Sequence, residues 1–281
     1  MKFGISSYVW VSPFSNSTFS QLDKAKLYGF DIYEIGVENP SAFDVFALKK
    51  YADKVGIQVN ICGTFSESRD ISSDNEEYRN EGMVYIRKII EYASILGSRF
   101  VAGPMYAATG RTRLASAEEK QRQMSFVVEN LKELCDYASE LGVVLALEPL
   151  NRFETDFMNT VDQGLHVIKL VERENLGFLL DIFHMNIEEK SIIATIHKAG
   201  KHIFNFHACA NDRGIPGEDS FDWKAIAQAL QDVGYDGAIT IESFTNEIKD
   251  IARAVSLWRP LAPSQDILAK KGLAFLKETF K

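Results

Sequence analysis

Cysteine is scarce: Cys62, Cys135 and Cys209 are the only three in 281 residues, and no two form a CxxC pair. That spacing excludes a disulfide-stapled scaffold and a zinc knuckle, and it points to reduced thiols. No apolar run reaches the roughly 18 residues of a membrane helix. The opening segment MKFGISSYVWVSPF has neither a long apolar centre nor a small-residue cleavage site, so a cytoplasmic chain with no membrane partner is expected. Basic clusters are also missing, and 31 Lys+Arg against 39 Asp+Glu leave a formal net charge of -8. Nucleic acid, acidic membranes and polyphosphates are therefore disfavoured as partners. After the first apolar run the chain reads SSYVWVSP where a doubly wound sheet usually carries GxGxxG, which removes the dinucleotide cradle. With no low-complexity linker or composition shift, residues 1–281 read as a single domain.

What the chain does have is a repeated junction of helical pattern, glycine, then apolar run. It occurs at Gly29, Gly56, Gly97, Gly142, Gly177, Gly200 and Gly234. Glycine just past a helix end accepts the left-handed capping conformation, and the apolar run behind it is a strand. With the opening strand over Phe3 to Ser7, eight strands are expected. Amphipathic stretches separate them at residues 19–27, 42–55, 78–96, 117–141, 161–172, 192–199 and 223–233. Eight strand-then-helix repeats in one chain of this length predict a (β/α)8 TIM barrel. An additional C-terminal helix is expected over 263–280, packed across the barrel or against a second subunit.

The run Val143 to Leu147 is long enough for a central parallel strand and ends at Glu148. The later strands end likewise, at Asp181 after GFLL, His207 after IFNF and Glu242 after AITI. In a barrel such ends converge on one mouth. Three carboxylates and one imidazole make a mainly oxygen donor set, for which Mn2+ is the natural occupant and Mg2+ or Co2+ are substitutes. Taken singly, Asp181 also suits a helix N-cap and His207 a structural role. Four in succession on adjacent strands are better explained by a metal.

The segments LEPLNRFETDFMNT, LDIFHMNIEE, HACANDRGIPG and IESF, with the pair Trp258 and Arg259, resemble the ketose 3-epimerases, the D-tagatose/D-allulose/L-ribulose 3-epimerase family of xylose-isomerase-like barrels. The resemblance is strong in the second half of the chain and faint in the first. It implies Mn2+ held by Glu148, Asp181, His207 and Glu242, with Glu148 and Glu242 as the catalytic acid and base. It also implies substrate contacts from Glu154, His184, Arg213 and Phe244, and from Cys62 beside the sugar. The substrate expected is a small free ketose and the assembly a homodimer or homotetramer. Where the family commonly has an aromatic, this chain has Ser6, and the residue three past His207 is Ala210 where many relatives carry an acid. Pro104, Met105 and Tyr106 stand near the family's frequent tryptophan. These departures bear on which ketose fits.

Chemistry agrees with this assignment. Inverting a carbon next to a ketone means removing its proton on one face and returning one on the other, and two carboxylates on separate strands suit that task. Two further readings stay open at this point: an aldose-ketose isomerase or an epimerase of oxidised glycosides on the same site, and a non-catalytic sugar-binding subunit that kept the barrel.

Overall fold

Short runs of β-branched and apolar residues, buried on both faces, build the strands β1 (Lys2–Ser6), β2 (Ile32–Val37), β3 (Gln58–Gly63), β4 (Phe100–Gly103), β5 (Val144–Leu147), β6 (Leu176–Asp181), β7 (Ile203–Ala208) and β8 (Ala238–Ile241). In the computed structural model, which describes all 281 residues, they pair in parallel in chain order and β8 closes on β1. Full closure leaves no sheet edge to protect. The surrounding helices are α1 (Ser20–Tyr28), α2 (Val45–Val55), α3 (Glu76–Leu96), α4 (Ala117–Glu140), α5 (Val161–Val171), α6 (Ile182–Glu188), α7 (Ile192–Ala199), α8 (Trp223–Asp232), α9 (Lys249–Ala254) and α10 (Gln265–Thr279).

Local chemistry sets where these helices begin. At α4, Ser116 Oγ accepts from Glu119 N and the Glu119 carboxylate accepts from Ser116 N, at 3.2 and 2.9 Å. This reciprocal cap contributes on the order of 1 kcal/mol. Six of the seven junction glycines have positive φ; Gly177 does not. It lies inside β6, where an added Cβ would meet the His202 carbonyl oxygen and the Phe204 ring. Its role is close packing, and α5 instead ends on Glu172, a non-glycine residue at φ 56°.

The tail helix is present as α10 and seats on this chain's own barrel, against β1, β8 and α8. Trp10 Nε1 donates to Asp266 and Lys277 Nζ to the Gly29 carbonyl, which fasten it beside β1 and α1. The large apolar core lies between strands and helices. A smaller one fills part of the barrel interior with Cys62, Phe100, Ala102, Ala146 and Leu179. Also buried on the strands are the polar residues Glu34, Asn60, Asn205 and Thr240. All three cysteines are free and buried.

Candidate active site

Strand geometry delivers the four expected ligands to one place. Glu148 follows β5, Asp181 ends β6, His207 is the penultimate residue of β7 and Glu242 follows β8. One ligand atom from each lies within 4.8 Å of all the others, and all four residues are buried. Asp181 combines two functions, since its Oδ1 caps α6 by accepting from Phe183 N at 2.7 Å while its Oδ2 faces the cluster. The N-cap and ligand readings therefore do not compete.

His207 decides whether this set suits a divalent cation. Its Nδ1 is buried, has no hydrogen-bond partner, and lies 3.5 Å from Glu242 Oε2 and 3.8 Å from Asp181 Oδ2. An orphaned ring nitrogen amid three carboxylates is a coordination geometry in outline, and one nitrogen with several oxygens suits Mn2+, Mg2+ or Co2+. Burial alone disfavours charging His207, but the facing carboxylates of Glu34 and Glu242 outweigh it and hold the imidazole well above its ordinary value. Burial, reinforced by the charge of Glu242, raises the Glu148 carboxyl well above the usual range. Asp181 is desolvated too, yet Arg213, His207 and His184 together outweigh that and hold its carboxyl well below the usual range.

Arg213 sits in the segment NDRGIPG, and the structure buries it. It adopts φ 70°, Ser243 Oγ donates to its carbonyl oxygen at 2.7 Å, and its guanidinium lies between the rings of Phe183 and Phe244. Its Nη1 donates to Asp181 Oδ2 at 2.6 Å and to Glu242 Oε2 at 2.7 Å. Phe244 in turn packs on Tyr8, with ring centroids 5.4 Å apart. Cys62 lies on β3, 7% exposed, and burial pushes its thiol well up, so it is an apolar wall and not a nucleophile.

His184 is in the first turn of α6, and both of its ring nitrogens face donors. The backbone N–H of Asn151 donates to Nδ1 at 3.1 Å. Burial holds the imidazole down to about 4, so it is neutral, and Arg213 Nη2, which can only donate, lies 3.1 Å from Nε2. That nitrogen lies 3.6 Å from Glu148 Oε1 and faces the cluster. Asn151 also donates through Nδ2 to Glu154 Oε1 at 2.8 Å, which links Glu154 to His184. Arg152 pairs with Glu188 and serves the loop. Of the nearby aromatics, Phe65 is buried and Phe157 stacks on Tyr106, but Phe153 is 73% exposed to solvent.

Sequence reasoning missed Asn151 and Glu34. Glu34 is fully buried; its Oε1 is 2.6 Å from His207 Nε2, and its Oε2 accepts from Asn205 Nδ2 at 2.9 Å. The signal was a carboxylate inside IYEIGV, a strand otherwise apolar and buried throughout. A charge there demands a partner.

The chain matches the xylose isomerase-like TIM barrel family over residues 22–279. It is 36% identical over 281 residues to a probable ketose 3-epimerase of Synechocystis, covering 100% of this chain and 97% of that protein. It is 29% identical to a D-psicose 3-epimerase of Agrobacterium fabrum over 98% of each chain. Among solved structures, one of L-ribulose 3-epimerase superposes with a TM-score of 0.93 at 31% identity, covering 99% of this chain and 94% of that one. A D-allulose 3-epimerase from Methylomonas sp., in complex with D-allulose, also gives 0.93, at 29% identity and with 99% and 97% covered. A barrel of this family, full-length identity above 30% and a buried acid-imidazole cluster at its mouth agree: the chain belongs to the ketose 3-epimerase family of xylose isomerase-like TIM barrels and is an isomerase-class enzyme.

Proposed function

We propose that this enzyme inverts C3 of a small free ketose, a ketohexose or ketopentose, with Glu148 and Glu242 as the paired acid and base. The observation that carries this reading is the convergence of both glutamates on one buried cluster, in a chain similar over its whole length to ketose 3-epimerases. The C2 carbonyl makes the C3 proton acidic. One glutamate takes that proton, leaving the electron pair delocalised over C3, C2 and the carbonyl oxygen as an enediolate. The other gives a proton to the opposite face of C3, and exchange with solvent resets the pair. Which glutamate acts first depends on the configuration of the ketose.

Glu148, Asp181, His207 and Glu242 would hold Mn2+, with Mg2+ or Co2+ as substitutes; when bound, the ion supplies positive charge beside the developing enediolate. The surrounding residues orient the sugar. His184 offers its imidazole, Arg213 its guanidinium and Glu154 an acceptor, while Phe244 and Cys62 wall the pocket. Glycine-rich phosphate cradles are absent from the sequence, which favours unphosphorylated substrates. A homodimer or homotetramer is the proposed assembly.

The test is an assay of chelated and Mn2+-reloaded protein against D-fructose, D-allulose, D-tagatose, D-sorbose and L-ribulose, with product identification. C3 epimers formed only after reloading are expected, with Glu148→Gln and Glu242→Gln slower by roughly 10^2 to 10^4-fold. Aldose products, or turnover that ignores both substitutions, would sink the reading.

A further inference from the structure

Glu34 belongs to no role assigned so far. It lies on β2, which is separated from β7 in the closed sheet by β1 and β8, so its bond to His207 crosses the barrel interior. Both its oxygens are engaged, one by His207 Nε2 and one by Asn205 Nδ2, and neither Glu34 nor His207 is exposed to solvent. A buried carboxylate is costly to keep unless its partners compensate. A merely structural ion pair would not need the other ring nitrogen to be free. Here Nδ1 has no hydrogen-bond partner and faces Glu242 and Asp181.

We propose that Glu34 is a positioning residue that keeps the proton of His207 on Nε2, presents Nδ1 as the metal ligand, and thereby sets the affinity for the divalent ion. An ionised carboxylate only accepts, so the nitrogen it touches must carry hydrogen. With the ion bound the imidazole would be neutral, with its one hydrogen on Nε2 and the lone pair on Nδ1. The bond also fixes the plane of the ring, and the negative charge behind it strengthens Nδ1 as a donor. Asn205 completes the arrangement by holding the second oxygen, while its own Oδ1 has no partner. This inference rests on the metal site of the proposed function.

The experiment is calorimetric titration of metal-free protein with MnCl2, for wild type, E34Q and E34L. In E34Q the new amide keeps an acceptor for His207, and Asn205 can turn its unpartnered Oδ1 toward the amide N–H, so the charge is lost but the orientation survives. E34L removes both. The dissociation constant should rise about 10-fold in E34Q and about 100-fold in E34L, while kcat at saturating Mn2+ falls by less than the affinity does. Unchanged Mn2+ affinity in both variants overturns the role of Glu34 and leaves the metal site standing. Failure of the wild type to bind Mn2+ overturns the metal site and this role with it. Should the variants not fold, the imidazole 15N spectrum of Mg2+-loaded wild type decides: a proton on Nε2 of His207 is expected, and a proton on Nδ1 contradicts the proposal.

Discussion

His184 is held neutral because burial outweighs the pull of Asp181 and holds its imidazole down to about 4. The consequence for stability has a definite sign. In the unfolded chain a histidine titrates near 6.5, so as pH falls the unfolded state takes up the proton first. The stability contributed by neutral His184 is therefore complete above about pH 6.5 and lost as pH falls toward 4, on the order of 3 kcal/mol in all. Urea unfolding at pH 7 and pH 4 should show wild type losing more stability than His184→Asn by about that amount. Equal losses would mean the ring is not held neutral in the fold. At this scale the sequence was informative about strand-end residues, whereas it marked Glu34 only as a charge in need of a partner and Asn151 not at all. Glu148, Asp181, His207 and Glu242 each close an apolar run, which marks them individually. Glu34 and Asn151 act through partners 173 and 33 positions away, distances set by barrel closure and loop packing that no local pattern encodes.

At the scale of elements, glycine punctuation located six of the junctions because a positive φ there favours a residue without Cβ. Gly177 misled for a physical reason: close approach of the His202 backbone and the Phe204 ring also demands glycine, but inside a strand. The true end of α5 is Glu172, held at φ 56° and ψ 44° with an exposed side chain. A side chain in that conformation costs roughly 1 kcal/mol. Glu172→Gly should accordingly raise unfolding stability by about 0.5 to 1 kcal/mol in urea titration, with activity unchanged; a loss of stability would show that the cap is not strained. The short α6 was not expected as a separate helix, because seven residues from Ile182 to Glu188 give too few turns for a periodic signal. It matters nonetheless, since Asp181 caps it and His184 projects from its first turn.

For the whole molecule, barrel closure brings four strand ends to one mouth, and α10 completes the wall beside β1 and β8. No helix is long and apolar enough to cross a membrane. A cation bound by β5 through β8 ties half the barrel together only when the chain is folded, so Mn2+ at a hundred times its Kd should add about 2.7 kcal/mol. In a chain of this size that is a rise in Tm of roughly 5 °C, reversed by EDTA; a melting curve indifferent to Mn2+ would remove the metal from the account. The central claim, that two acids serve opposite faces of one carbon, is tested most directly by early turnover of D-allulose in D2O with Mn2+-loaded enzyme. Deuterium should enter C3 of the product while the remaining substrate keeps protium there. Label at C1, or protium retained at C3 of the product, would contradict it.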